Sequence, residues 1–126
     1  MKKSTFLMLV AIFLFIGNVK AQNERKPNIR GDFQRCDIYN GWKIWTATYS
    51  FYNNGTIIYQ FDHHREDRHK YKSGTYYIEN TGRSYDTVYI RWSDGSTDKG
   101  KLYYPSQYSS SRTTYFEINS SNYKLQ

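Results

Sequence analysis

Side chains that alternate between the two faces of an extended backbone run through most of this chain, most clearly in residues 49–61. There, aromatic and β-branched residues flank the triplet Asn53-Asn54-Gly55. Asn and Gly tolerate the positive φ of a tight hairpin turn, and the flanking residues suit a pleated, half-buried surface. The stretch therefore predicts two strands joined by a short turn, which makes an antiparallel sheet the first expectation for the fold.

The same alternation recurs along the chain, punctuated by turn residues every eight to twelve positions. We predict strands at residues 42–52, 56–61, 71–72, 75–79, 85–92, 101–104, 113–118 and 123–125, with Ser73-Gly74 as a break between two of them. Residues 33–39 fit either a short strand or one helical turn. No stretch keeps a 3.6-residue period for the ten or more residues of a helix. The chain is therefore predicted to be all-β, a small antiparallel barrel or sandwich of about seven or eight strands, mainly in up-and-down order.

The first residues differ from the rest in composition. Lys2 and Lys3 precede an unbroken apolar run at residues 6–16, and Val19-Lys20-Ala21 is typical of a signal-peptidase site. The apolar run is about 16 Å long as a helix, too short to span a bilayer. We therefore expect a signal peptide at residues 1–21, a flexible lead-in at 22–32 and a single β domain at 33–126. The product is expected to be periplasmic or secreted, from a Gram-negative bacterium, without a lipid anchor or a membrane span.

Charge and cysteine content narrow the function classes. Three of the 18 basic residues lie in the leader, so cleavage lowers the net charge from +7 to +4. That charge is spread along the chain and does not indicate a nucleic-acid partner. The single Cys36 cannot form an internal disulfide, and we expect it to be buried and inert, with an intermolecular bond as the alternative. Neither the ligand nor the oligomeric state can be read from the sequence.

Several short motifs resemble a known group of proteins. Gly41-Trp42, Tyr49-x-Phe51, Asn54-Gly55-Thr56, Gly74-Thr75-Tyr76 and Val88-x-Ile90-x-Trp92-x-Asp94-Gly95 are similar to motifs of the small secreted lipocalin-like domains of Bacteroidota. The resemblance covers residues 41–118. It implies an eight-stranded barrel or flattened barrel, closed at one end by Trp42, without general catalytic residues. The chain is shorter than true lipocalins and has no disulfide, which argues against a roomy ligand cavity.

A second resemblance is to periplasmic lysozyme inhibitors of the small-barrel type. It is carried by Ser73-Gly74-Thr75-Tyr76-Tyr77 and the later Lys99-Gly100. In that family an exposed Ser-Gly loop enters the cleft of the enzyme, so the resemblance implies a protein-interaction role for Ser73 and Gly74.

The most polar segment, residues 62–70, has no apolar side chain and is predicted to be a solvated hairpin loop. It contains His63, His64 and His69 among acids, but Arg65, Arg68 and Lys70 would repel a cation. Neighbouring histidines on an extended backbone also point to opposite faces. We therefore favour a solvated binding loop over a metal site, with a pH response near the ordinary histidine pKa of 6.5 as a further alternative.

Aromatic residues make up 19% of the chain. They can fill a core or form a recognition surface, because they are rigid and amphipathic. We assign Trp42, Ile44, Val88, Ile90, Trp92 and Phe116 to the core. The candidates for an exposed patch are Tyr52, Tyr59, Tyr89, Tyr103, Tyr104 and Tyr108.

Sequence motifs for catalysis are missing: there is no nucleophile elbow, no phosphate-binding glycine loop and no His pair on a helix. We therefore predict a non-catalytic binding protein without a cofactor, for an unknown small hydrophobic ligand or a surface-bound partner. The binding residues are predicted to be His63, His64, Arg65, Arg68, His69, Ser73, Gly74, Tyr52, Tyr59, Tyr89 and Tyr104. The alternatives are a hydrolase inhibitor, such as a lysozyme inhibitor, and a carbohydrate-binding module.

Overall fold

A computed structural model describes residues 24–105 and 113–126. Its strands are β1 (Arg25–Lys26), β2 (Gly31–Tyr39), β3 (Trp42–Phe51), β4 (Thr56–His63), β5 (Arg68–Asn80), β6 (Tyr85–Trp92), β7 (Thr97–Tyr103), β8 (Tyr115–Ile118) and β9 (Ser121–Leu125). Helix is absent from these residues, so the all-β prediction is confirmed. The predicted leader and Tyr108, a candidate for the exposed patch, lie outside the described residues.

Strands β2 to β9 form a closed barrel. Each pairs antiparallel with the next along the chain, and β9 pairs back onto β2. The order is a simple up-and-down meander, as predicted. An eight-stranded barrel encloses a space that side chains can just fill.

The barrel interior is filled by aromatic and aliphatic side chains. The rings of Phe33, Phe51 and Phe116 meet edge to face, with centroids 5.2 to 6.1 Å apart. The buried aliphatic residues around them are Ile57, Ile78, Val88, Ile90, Leu102 and Ile118. Because these side chains occupy the interior, any ligand has to bind at the barrel ends or on its outer surface.

The hairpin predicted at residues 49–61 is present as β3 and β4. Tyr49 pairs with Tyr59 and Phe51 with Ile57, around a turn in which Gly55 has φ of 90°. Residues 33–39, which the sequence left undecided, belong to β2. The alternation predicted for β6 is also confirmed, with Val88, Ile90 and Trp92 buried.

The face of β3 that enters the core was assigned wrongly at its start. Ala47, Tyr49 and Phe51 are buried, whereas Trp42 is 72% exposed and Ile44 is only partly buried. Both faces of β3 carry large side chains, so the pattern alone does not select between them. The structure places Trp42 at the β2–β3 turn, where it cannot close the barrel. Cys36 on β2 is partly exposed and not buried as expected.

The predicted break at Ser73-Gly74 is also wrong, because β5 runs through it without interruption. Gly74 pairs with Ile57 of β4 on one side and with Trp92 of β6 on the other. A Cβ at this position would collide with the backbone of Arg91 and Trp92. The glycine therefore allows two strands to approach closely and does not end a strand.

Strand β1 lies within the segment predicted as a lead-in. It pairs with Ile78 and Glu79 of β5. The pairing of β4 with β5 ends at Thr56 and Thr75, so β1 occupies the part of the β5 edge that β4 does not reach. Lys26 Nζ lies 2.8 Å from Asp86 Oδ2, and the Asp86 side chain is almost fully buried. The strand thus covers an acidic group at one end of the barrel.

Candidate functional site

The meander places alternate turns at opposite ends of the barrel. We call the end with the β2–β3, β4–β5, β6–β7 and β8–β9 turns the upper end, and the opposite end the lower end. The predicted charged loop is the β4–β5 turn, so it lies at the upper end. Residues 64–70 are all exposed, in agreement with the predicted solvation, but the loop prediction for 62–70 is wrong at both ends: residues 62–63 belong to β4, 68–70 belong to β5, and His63 is buried.

Within the charged loop, His63 is buried and organises the turn. Its Nδ1 accepts hydrogen bonds from the backbone N–H groups of Arg65, at 3.3 Å, and Glu66, at 3.0 Å. Two donors on Nδ1 require that the ring proton sits on Nε2. His63 therefore holds the loop in shape and is not presented to a ligand.

His69 lies on the outer side of the same loop. Its Nδ1 is 2.9 Å from Asp62 Oδ1, and its Nε2 is 3.0 Å from Asp67 Oδ1. The hydrogen bond to Asp62, followed by the one to Asp67, raises the pKa of His69 above its ordinary value. The loop therefore contains an exposed imidazole that keeps its proton more readily than a free histidine.

The remaining loop residues are tied to the nearby backbone and side chains. His64 Nε2 lies 2.8 Å from Thr46 Oγ1, and Arg68 forms a 2.7 Å ion pair with Glu66. Among residues 24–105 and 113–126, no group of three His, Cys, Asp or Glu side chains is placed to hold a metal ion.

The other predicted binding residues are spread over the barrel. Tyr52 and Tyr104 lie at the lower end, where the Tyr52 carbonyl accepts a 2.7 Å hydrogen bond from the Tyr76 hydroxyl. Burial, together with a hydrogen bond to Asp86, raises the pKa of Tyr104. Tyr89 lies on the outer face of β6, and Ser73 and Gly74 lie inside β5. The structure therefore does not bring these residues into one site with the charged loop.

Tyr59 belongs to a different surface at the upper end. Strand β6 pairs with β5 only from Gly74 onward, so residues 68–73 and their partners on β4 extend beyond the closed barrel. On the inner face of this extension, Lys70 pairs with Phe61 and Lys72 with Tyr59. Aromatic and cationic side chains therefore alternate above the core.

We call this inner surface the barrel mouth: Arg35, Trp45, Tyr59, Phe61, Lys70 and Lys72. The rings of Trp45 and Phe61 have centroids 5.8 Å apart, and both are partly exposed. The guanidinium of Arg35 lies over Trp45, 5.3 Å from its centroid, and donates a 2.8 Å hydrogen bond to Ser121 Oγ. The barrel mouth thus combines an aromatic floor with positively charged edges.

The opposite wall of the mouth holds Trp92 and Asp98. The indole N–H of Trp92 donates a 2.7 Å hydrogen bond to Asp98 Oδ2, and Lys72 Nζ lies 5.7 Å from the Trp92 centroid. Burial raises the pKa of Tyr59, with a smaller contribution from Tyr123. The Tyr59 hydroxyl therefore stays neutral at physiological pH and can donate a hydrogen bond.

Sequence reasoning missed most of the barrel mouth. Trp45 shares the i, i+2 register of Ala47, Tyr49 and Phe51, so choosing the correct face of β3 would have placed it inside. Lys70 was missed because it lies in the charged run 62–70, which the sequence predicts to be a loop, and Lys72 lies in the predicted strand 71–72, for which no inner face was assigned. Lys70 and Lys72 have the same period of two as a strand, which was the available indication.

The outer face of the barrel carries tyrosines in cross-strand columns. Tyr103 and Tyr115 are stacked with centroids 4.7 Å apart and planes 8° apart, and Tyr85 lies 5.5 Å from Tyr103. The separation equals the spacing of neighbouring strands, so the rings stand side by side on the sheet. Their faces are used against one another, which leaves edges and hydroxyl groups for other molecules.

Comparison with known proteins gives no match: no family model, no curated protein and no solved structure is similar to this chain at a significant level. Over the described residues there is no helix with the length and hydropathy needed to cross a bilayer.

Proposed function

We propose that the protein is exported and works by binding, without catalysis, as a lipocalin-like barrel whose mouth holds a small aromatic anion. The observation that carries this proposal is the aromatic floor of the barrel mouth with Arg35, Lys70 and Lys72 around it. Mouths of β-barrels are common places for small ligands, which bind through apolar contacts and a few polar groups.

The depth of the mouth limits the size of the ligand. Phe33, Tyr49 and Phe116 fill the space directly below it, so a long chain cannot enter the barrel. A compact ring can lie on Trp45 and Phe61 while its acidic group meets an ammonium at the rim. Among the described residues, no carboxylate lies within 4 Å of the ammonium group of Lys70 or Lys72, and Asp94 interacts with Lys72 at longer range. These cations therefore remain available to an anion.

The test uses two ligands that share a ring system and differ in charge. Naphthalene-2-carboxylate is expected to shift the Trp45 indole N–H resonance, whereas the 2-naphthylmethylammonium cation is not. Trp45→Ala should weaken binding by about tenfold, because it removes an aromatic contact at the centre of the site. Trp42→Ala removes the other tryptophan of β3 at the exposed turn and is the matched control. Equal binding of both ligands, or equal loss in both variants, would contradict the proposal.

A second candidate function is supported by the order within the charged loop. His63 fixes the turn from inside, and His69 bridges Asp62 and Asp67 from outside. A loop held in shape loses less entropy on docking into a partner protein, as a hydrolase inhibitor would do. The Ser73-Gly74 loop implied by the lysozyme-inhibitor resemblance is absent, because these residues lie within β5.

The inhibitor candidate predicts that the protein slows lysozyme in a cell-wall clearance assay. Arg65→Ala and Arg68→Ala in the same chain should abolish that inhibition, because both side chains are exposed on the charged loop. Clearance at the uninhibited rate in the presence of excess protein would exclude this candidate for lysozyme.

A further inference from the structure

We propose that a groove on the outer face of β5, β6 and β7 is a second binding site, which takes a short acidic oligosaccharide. The groove has a volume of about 630 Å³ and runs across the three strands. The two rows of side chains that form its walls point away from the barrel interior, whereas those of the barrel mouth point into it; Tyr76, Ile90 and Asp98, which belong to the inner face, also border the groove.

Two cross-strand rows of side chains form the walls of this groove. One row consists of Thr75, Arg91 and Thr97, and the other of Tyr77, Tyr89 and Lys99; neighbours within each row are paired residues of β5, β6 and β7. Asn119, from the β8–β9 turn, also lines the groove. The spacing of strands gives a length of about 10 Å from β5 to β7.

The tyrosine wall is a continuous column of rings and cations. The Arg25 guanidinium lies 4.1 Å from the Tyr77 centroid, Tyr77 stacks on Tyr89 at 5.0 Å, and Lys99 Nζ lies 5.4 Å from the Tyr89 centroid. The attraction between each cation and the face of its tyrosine ring restricts the motion of both side chains. The wall is thereby fixed before any ligand arrives, with a positive charge at each end.

Charge identifies the ligand as an anion. Arg91 and Lys99 stand on opposite walls, and within the described residues neither forms an ion pair with a carboxylate. Asp98 also lines the groove, and its Oδ2 accepts the hydrogen bond from the Trp92 indole N–H. Glu79 beside Tyr89 is engaged by the tyrosine hydroxyl. Acidic groups placed between the walls would therefore meet two cations.

The polar lining selects a sugar from among the acidic ligands. Threonine hydroxyls, the Tyr77 hydroxyl and the Asn119 side chain match the many hydroxyl groups of an oligosaccharide. A neutral sugar usually stacks on an exposed aromatic face, but the faces of Tyr77 and Tyr89 are occupied by each other and by cations. A peptide strand would need free backbone groups, whereas β6 in the groove floor is paired on both sides. The binding energy that ring stacking would give a neutral sugar therefore has to come from contacts between acidic groups on the sugar and the two cations.

The experiment compares three probes by calorimetry on the mature chain: a chondroitin sulfate tetrasaccharide, neutral cellotetraose and an octaglutamate peptide. The sulfated sugar is expected to bind, and its affinity should fall as salt is raised from 50 to 300 mM. Arg91→Gln and Lys99→Gln should each weaken binding by about three- to fivefold, as for exposed charge pairs. Lys43→Gln removes the same charge from β3 and should leave binding unchanged.

A loss with Lys43→Gln equal to that with Arg91→Gln would reduce the binding to net charge and overturn the site. Tighter binding of octaglutamate would make the groove a peptide site, and tighter binding of cellotetraose would remove the role of the cations. Trp45→Ala, which damages the barrel mouth, should not change sugar affinity, so this site and the mouth can fail separately.

Discussion

One missing side chain, at Gly74, determines how closely β5 and β6 can pair. A Cβ on this residue would meet the Arg91 carbonyl and the Trp92 backbone, neither of which can rotate away. Gly74→Ala is therefore expected to lower the free energy of unfolding by about 1 to 3 kcal/mol. Gly82→Ala is a useful comparison, because its Cβ would meet nothing within 4 Å and only its φ of 71° is unfavourable. Urea unfolding of both variants should show the larger loss for Gly74→Ala, and the reverse order would refute the close-approach explanation.

The contribution of His69 to the stability of the fold is expected to depend on pH. Its folded-state pKa is raised above 6.5 by the hydrogen bonds to Asp62 and Asp67. The stabilisation is therefore complete below the unfolded-state pKa of 6.5 and is lost as pH rises through the higher folded-state value. An NMR titration should give a pKa for His69 above 6.5, and Asp62→Asn should lower it. An unchanged titration in that variant would show that the contact does not persist in solution.

Individual residues were predictable where only one face of a strand is apolar. Val88, Ile90 and Trp92 alternate with Thr87, Tyr89 and Arg91, and their burial follows directly from that pattern. Strict alternation along β3 separates Trp42 from Trp45, but the β2–β3 pairing shifts register between them: Asp37 pairs with Trp45 and Ile38 with Lys43. Which of the two tryptophans is buried depends on how β3 pairs with β2 and β4, and the sequence of β3 alone does not determine that pairing. The barrel mouth was therefore largely missed, although Tyr59 was named.

Among the elements, β1 is the shortest strand, and both of its side chains contact the barrel: Arg25 lies over Tyr77, and Lys26 forms an ion pair with Asp86. Lys26 reaches Asp86, whose side chain is 5% exposed, while Lys26 itself is 40% exposed. Removing one partner of a buried ion pair leaves an uncompensated charge. Because water reaches Lys26, Lys26→Met is expected to cost about 1 to 2 kcal/mol, less than a fully buried pair.

The control for β1 is a double variant, Lys26→Met with Asp86→Asn. It removes the stranded charge while keeping the shape of the side chain, so part of the lost stability should return. Thermal melts of the single and double variants measure the difference. A double variant that is less stable than Lys26→Met would mean that Asp86 is held chiefly by other groups, such as the Tyr104 hydroxyl.

Element boundaries were predicted well where turns use positive φ. Gly55 and Gly95 mark the β3–β4 and β6–β7 turns, and both have φ of 90°. Gly74 was also predicted to end a strand, and this prediction is wrong, because close packing of two strands also favours glycine. The closing pair of β2 with β9 joins Phe33 to Leu125, and no local pattern indicates a contact over such a distance in sequence. The sequence therefore does not distinguish a closed barrel from a sandwich.

At the scale of the whole molecule, the filled interior decides where function can reside. Aromatic rings in edge-to-face contact occupy the space in which a larger barrel would hold its ligand. Aromatic surface and free cations are found instead at the barrel mouth and on the outer face of β5 to β7. The proposed functions therefore use the sheet where it extends past the closed barrel, and the side of the sheet that faces away from it.

The filled interior can be tested with two adjacent residues of β8 that face opposite ways. Phe116 is fully buried against Phe33 and Phe51, and Tyr115 stacks on Tyr103 outside. Phe116→Ala is expected to lower the free energy of unfolding by about 3 to 5 kcal/mol, because it removes a ring and leaves a cavity. Tyr115→Ala loses a stacked pair at the surface and should cost about 0.5 to 1.5 kcal/mol. Denaturant unfolding measures both, and similar losses in the two variants would mean that the interior is not the packed core that excludes a ligand.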